Sequence, residues 1–260
     1  MGVAAFVAAA VLAATSPVAF VQSHGAGGGF SETGGTTDAL LTSWAVLGLR
    51  AAGASAPGSL TYLQSQEASL TATTDVALVA LAEESLGERS ETLLAKLVPR
   101  PNGQIGPTLN STYWAVLALG RSSPATTRFI LAHQAKGGGF AWGIGGQPDS
   151  NDTAAALEAL RVARVHGSPV ARAVRFLRTF ENRDGGFELT HGRGSDAQST
   201  AWAIQGFVAA GATPPRAAFA YLAKLKRADG SYRYSARYAA TPVWVTSQVL
   251  AALAKKPFPL

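Results

Sequence analysis

Three groups of side chains in this sequence could do chemistry. Asp149 and Asp152 stand three apart in the run Asp149-Ser150-Asn151-Asp152-Thr153-Ala154. Such acids can transfer protons, or they can cap a helix. Asp38, Asp149 and Asp196 each sit four residues before a threonine that recurs in register (Thr42, Thr153 and Thr200), which is where an N-cap belongs; Asp152 would lie in the first turn and suit the helix dipole. Capping accounts for these acids more simply than catalysis does. The second group is Trp44, Trp114 and Trp202, which share one position of the same repeat, with Trp142 in an irregular loop. Facing a central cavity, they would suit an apolar ligand, a corrin-like disc or a carbocation. Facing the other way, they would wedge between neighbouring helices, and periodicity does not say which face is inward. The third group is Glu158 and Gln205, three residues further along their copies of the repeat. A lone Glu among apolar side chains is costly unless paired or solvated, so it is a pocket candidate; its other reading is an exposed helix end beside Arg161 or Arg164.

Several chemistries are excluded at once. The chain has no cysteine, hence no disulfide, no thiolate metal site and no Cys nucleophile. Its four histidines (His24, His133, His166 and His191) have no i, i+4 spacing with one another, and His24 and His133 fall at matching repeat positions, which reads as structural. No metal site and no cofactor are expected.

The elements that must position these residues follow from an eight-residue pattern, Thr-x-x-small-apolar-x-small-apolar, that occurs six times. The copies begin at Thr42, Thr74, Thr112, Thr153, Thr200 and Thr246. Positions 1, 4, 5 and 8 share one helical face, and the small residue at position 4 permits close packing. Positions 3, 6 and 7 are also mostly apolar, so these helices must be buried on both sides. Before the copies lie segments of a different character, at 17–24, 59–66, 91–100, 125–134, 169–181 and 215–227. In the fifth, Val170, Val174 and Leu177 oppose Arg172, Arg175 and Arg178, as in a helix with one wet side. Glycine turns followed by an aromatic join many of the pairs, as at Gly137-Gly138-Gly139-Phe140 and Asp184-Gly185-Gly186-Phe187. Six hairpins with all-apolar inner helices bury them by closing into a ring. The expected fold is therefore all-α, an α/α toroid with inner and outer rings of six helices, forming one domain over 17–260. An open solenoid is the alternative, disfavoured by the short chain and the lack of a polar capping repeat. The loop at 140–152 and the Tyr-rich stretch at 232–238 are the least repeat-like connections, where a binding mouth would lie.

The net charge of +6 is uneven, −4 over residues 1–160 and +10 over 161–260. The basic residues recur at helical spacing, which describes a solvated face and argues against nucleic acid. No apolar run is long enough for a stable membrane span. Residues 3–15 have the length of a signal-peptide hydrophobic region, although no Lys or Arg precedes them; residues 1–16 are read as a signal peptide or an extra N-terminal helix, and the protein as secreted or extracytoplasmic.

The Gly-Gly-Phe turns and Thr-x-Trp-Ala helices resemble the squalene-cyclase-type repeats of the terpenoid cyclase and protein prenyltransferase superfamily, over roughly residues 17–260. The resemblance implies the toroid, and a choice among several functions. Prenyltransferases of that superfamily hold zinc with an Asp, a Cys and a His, and its thioester domains also need a Cys; both are disfavoured here. Class II terpene cyclases carry an Asp-x-Asp-Asp-Thr-Ala motif similar to Asp149–Ala154, which would make Asp149 and Asp152 catalytic. The central Asp of that motif, the proton donor in the family, is Asn151 here, and an amide cannot protonate an alkene. The leading expectation is a non-catalytic toroid that binds a hydrophobic, isoprenoid-like or corrin-like molecule through Trp44, Trp114, Trp142, Glu158, Trp202 and Gln205. The alternatives are a cyclase-like enzyme acting on a polyprenyl substrate and a protein-interaction ring.

Overall fold

The computed structural model describes residues 16–260, so the stretch at 3–15 read as an export signal lies outside the described residues. All six pattern segments are helices: α2 (Ala39–Ala51), α4 (Thr73–Ser85), α6 (Leu109–Leu119), α8 (Ser150–Val162), α10 (Ala197–Ala209) and α12 (Pro242–Leu253). Each is preceded by a shorter helix: α1 (Pro17–Gln22), α3 (Ser59–Gln66), α5 (Glu91–Leu94), α7 (Pro124–Ala132), α9 (Ser168–Arg178) and α11 (Arg216–Leu225). The even-numbered helices pack each on the next, and α12 packs back on α2, which closes the ring. The odd-numbered helices lie outside it, as α1 does against both α12 and α2. Burial follows: α6 buries Leu109 and every residue from Ser111 to Ala118, whereas α9 buries only Ala173 and Leu177 and leaves Arg175 and Arg178 exposed. The helix expected over 91–100 stops at Leu94, because Pro99 and Pro101 force the chain ahead of them out of helical geometry.

The recurring threonine has a specific task. Its hydroxyl oxygen accepts the backbone N–H of the residue that follows the turn: Phe30 on Thr42 at 2.8 Å, Ile105 on Thr112 at 3.1 Å, Phe140 on Thr153 at 3.0 Å, Phe187 on Thr200 at 2.9 Å and Tyr232 on Thr246 at 2.9 Å. Each bond satisfies a buried donor that an irregular loop would otherwise strand, and it pins the turn to its inner helix. The turns need glycine because they abut the next outer helix. Gly138 has φ +97°, and a Cβ there would lie 2.5 Å from the carbonyl oxygen of Arg172 in α9.

Three rim loops also cap the inner helix of the repeat before them. The amide of Asn110 donates to the Trp142 carbonyl at 3.0 Å, that of Ser150 to Leu189 at 3.1 Å, and that of Ala197 to Tyr234 at 2.7 Å. At the closing junction Glu32, from the first repeat, accepts the amides of Val243 and Trp244 at the start of α12, at 3.0 and 2.9 Å. These bonds satisfy helix N-termini that would otherwise have orphan donors. Two short antiparallel pairs stiffen the rim: β1 (Gly25–Ala26) with β2 (Gly29–Phe30), and β3 (Phe140–Ala141) with β4 (Pro148–Asp149). No helix of the described residues is long and apolar enough to cross a membrane.

Candidate functional site

Trp44, Trp114 and Trp202 come from α2, α6 and α10, three alternate members of the inner ring, so side chains from them that touch must meet on the ring axis. They do. Their ring centroids are 5.5, 5.7 and 6.0 Å apart, with interplanar angles of 86–87°, the edge-to-face arrangement that aromatic quadrupoles favour. Position 3 of the pattern therefore faces the centre. The triangle of indoles is the floor of a bowl of about 420 Å³, which opens at the N-terminal ends of the inner helices. The size is within the range of small-molecule pockets.

The wall of the bowl is one helical turn above the floor. Asn110 stands four residues before Trp114, Asn151 four before Ala155, Gln198 four before Trp202 and Trp244 four before Gln248, and all of these line the bowl. Trp142, 62% exposed, and Leu189 come from the capping loops, so the same bonds that close the helix ends place these side chains at the mouth. All five tryptophans of the chain line this one cavity.

Asp149 and Asp152 belong to the wall. Asp149 is the N-cap of α8 and accepts the Asp152 amide at 2.8 Å. Asp38 and Asp196 cap their helices in the same way, so the capping reading of all three is what the structure displays. Asp152 is 6% exposed, and its carboxyl accepts a 2.7 Å hydrogen bond from Asn110. Burial, reinforced by the charge of Asp149 and a hydrogen bond with it, raises Asp152 well above the usual carboxylate range. Burial thus favours the protonated form of Asp152, facing an aromatic cavity. Across the bowl, Gln248 is 2% exposed, and neither its Nε2 nor its Oε1 has a partner among the described residues. A buried amide of this kind costs free energy until something in the bowl bonds to it.

Glu158 and Gln205 are not in the bowl. They lie deeper in the ring, below the indole floor, beside Phe258, where Gln205 Nε2 donates to Glu158 Oε1 at 3.4 Å and Glu158 Oε2 has no partner among the described residues. Sequence periodicity put them on the same face as the tryptophans, and they are, but one turn further along the axis. His24 and His133 play matching structural parts, each bonding through Nδ1 to the carbonyl four residues earlier at 2.8 Å. The Tyr-rich stretch borders a separate cleft of about 770 Å³ that adjoins the bowl at Trp244. Asn110, Gln198, Trp244 and Gln248 were not anticipated as site residues. The signal for three of them was available: they sit one turn before position 3 in their copies.

No protein-family model matches the chain, and no curated protein matches it at significant similarity. Solved structures do. A type II terpene cyclase from Scytonema, in complex with its substrate geranylgeranyl dihydroxybenzoate, superposes with a TM-score of 0.67 at 15% identity over 95% of this chain and 96% of that one. An ent-copalyl diphosphate synthase from Streptomyces platensis gives 0.58 at 20% identity over 83% of this chain, which spans only 50% of that protein. A Candida albicans protein geranylgeranyltransferase-I, complexed with GGPP, gives 0.59 at 13% identity over 82% of each chain. The chain shares the α/α-toroid fold of these proteins.

Proposed function

We propose that the bowl binds a hydrophobic, isoprenoid-like molecule with a small polar end, without turning it over. The observation that carries this reading is the gathering of all five tryptophans around one cavity. Indoles offer a large apolar surface to a polyprenyl chain, and the amides of Asn110, Gln198 and Gln248 offer hydrogen bonds to its polar end. That three solved toroids act on or bind prenyl compounds supports the ligand class by analogy of fold. An isoprenoid is favoured over a corrin-like disc because the wall holds amides and acids, whereas His24 and His133 are engaged elsewhere.

The placement of the tryptophans makes the test direct. Titration with farnesol should change the tryptophan emission saturably, and Trp114→Ala should weaken binding about tenfold or more. Unchanged emission with every polyprenyl alcohol tried would overturn the reading. Export belongs to the same proposal, and protein from its own source should then lack residues 1 to about 16 by mass.

One observation favours a cyclase-like enzyme instead: the carboxyls of Asp149 and Asp152 line the bowl above the indole floor, and burial raises the proton affinity of both. That raised affinity makes each a poor acid for an alkene, and Asn151 at the wall has no acidic proton to give. Turnover of a polyprenyl substrate that disappears in Asp152→Asn, with binding retained, would establish that reading against ours.

A further inference from the structure

Beneath the indole floor the ring is filled by its own C-terminal segment. After α12 the chain turns sharply at Lys255, whose φ of +54° is left-handed, and re-enters the ring. The Phe258 ring is 1% exposed, with its centroid 6.1 Å from that of Trp44 and 6.5 Å from those of Trp114 and Trp202. Its backbone is held by Arg161, whose Nη2 donates to the Phe258 carbonyl at 2.6 Å, with the Glu158 carboxyl close by. Position 6 of the pattern is apolar in four inner helices (Leu47, Val79, Leu117 and Ala251) and polar only in α8 and α10, as Glu158 and Gln205. The two polar residues meet each other at the point where the tail enters. Burying a carboxyl and an amide there makes physical sense as a seat for the tail's backbone.

We infer that Phe258 sets the depth of the bowl and hence the length of hydrophobic chain it accepts. This rests on the isoprenoid reading of the bowl. The phenyl ring supports all three indoles from below, so removing it leaves a void directly under the floor. A ligand can enter that void, or an indole can tip into it and give its own volume to the bowl; either way the bowl deepens. The six carbons of the ring match the five of an isoprene unit closely enough that the change should be one unit.

The experiment is calorimetric titration of wild type, Phe258→Ala and Phe258→Leu with geraniol, farnesol, geranylgeraniol and geranylfarnesol, with circular dichroism to check folding. In Phe258→Ala the best-bound alcohol should be one isoprene unit longer than in wild type, and should bind at least about tenfold more tightly than it does to wild type. Phe258→Leu should shift the same way by less, and it carries the test if the alanine variant does not fold. Folded variants that bind the alcohols in the wild-type order would overturn the inference while leaving the bowl reading intact. Failure of every alcohol to bind wild type and variants alike would overturn the bowl reading, and the inference with it.

Discussion

A carboxyl group buried in the middle of an apolar ring is a titration waiting to be measured. Burial raises Glu158 from the ordinary 4.5 to about 8, against the opposing pull of Arg161, of the Phe258 backbone close by and of the hydrogen bond from Gln205. Below pH 4.5 the folded and unfolded chains both hold this proton, and the group carries no penalty. Between pH 4.5 and 8 the unfolded chain releases it and the folded chain keeps it, so stability falls by up to about 1.4 kcal/mol per pH unit; above pH 8 the loss is constant. Gln is the uncharged mimic and can still accept from Gln205. Glu158→Gln should therefore leave stability at pH 4.5 nearly unchanged and raise it by several kcal/mol at pH 9, read by urea unfolding at the two pH values. Parallel pH curves for the two proteins would mean that Glu158 is not held neutral.

At the level of helices and turns, the threonine-to-turn bond makes a prediction with a built-in control. Thr200→Val leaves the buried Phe187 amide without its acceptor and should cost about 1–3 kcal/mol. In the second repeat Thr74 donates to its neighbour Asp75 at 3.3 Å and is only half-buried, so Thr74→Val should cost less than about 0.5 kcal/mol in the same chemical denaturation. Gly48 is tested separately, because a Cβ there would meet the backbone carbonyl of Ser247 at 2.3 Å. Ala gains about 1 kcal/mol in helix propensity over Gly, but it must push α2 away from α12; the clash should win, leaving Gly48→Ala destabilised by about 1–3 kcal/mol in thermal melts. The repeat itself was readable from sequence because inner helices buried on both faces leave an unbroken apolar period, and the turn glycines mark the ends. The threonine's purpose was not, because its partner lies 7 to 14 residues earlier, in a loop whose path has no period. The same distinction governs the site. Trp44, Trp114 and Trp202 were in register and could be grouped, whereas their depth relative to Glu158 and the presence of Phe258 between them depend on a C-terminal turn outside the repeat.

For the whole molecule the decisive contact is the one that makes a row of hairpins into a ring. Three junctions use a loop carbonyl to cap the preceding inner helix, but the junction between last and first repeats uses the Glu32 carboxylate, more than 200 residues from its partners. The substitution has a local reason: Thr241, the N-cap of α12, is left-handed and makes no side-chain capping bond, so this helix start depends on Glu32. A carboxylate there also complements the helix dipole. Because Trp244 donates one of the two bonds and is part of the bowl wall, the Glu32 side chain ties the closing junction to the bowl. Glu32→Ala should cost about 0.5–2 kcal/mol, as for other lost caps, and should also weaken farnesol binding several-fold. Asp38→Ala is the comparison, since it removes the cap of α2 from Leu40 and Leu41, neither of which reaches the bowl. Its stability loss should be similar, with affinity nearly unchanged. Equal losses of affinity in the two variants would show that the bowl responds to stability in general, and Glu32 would then be a cap like any other.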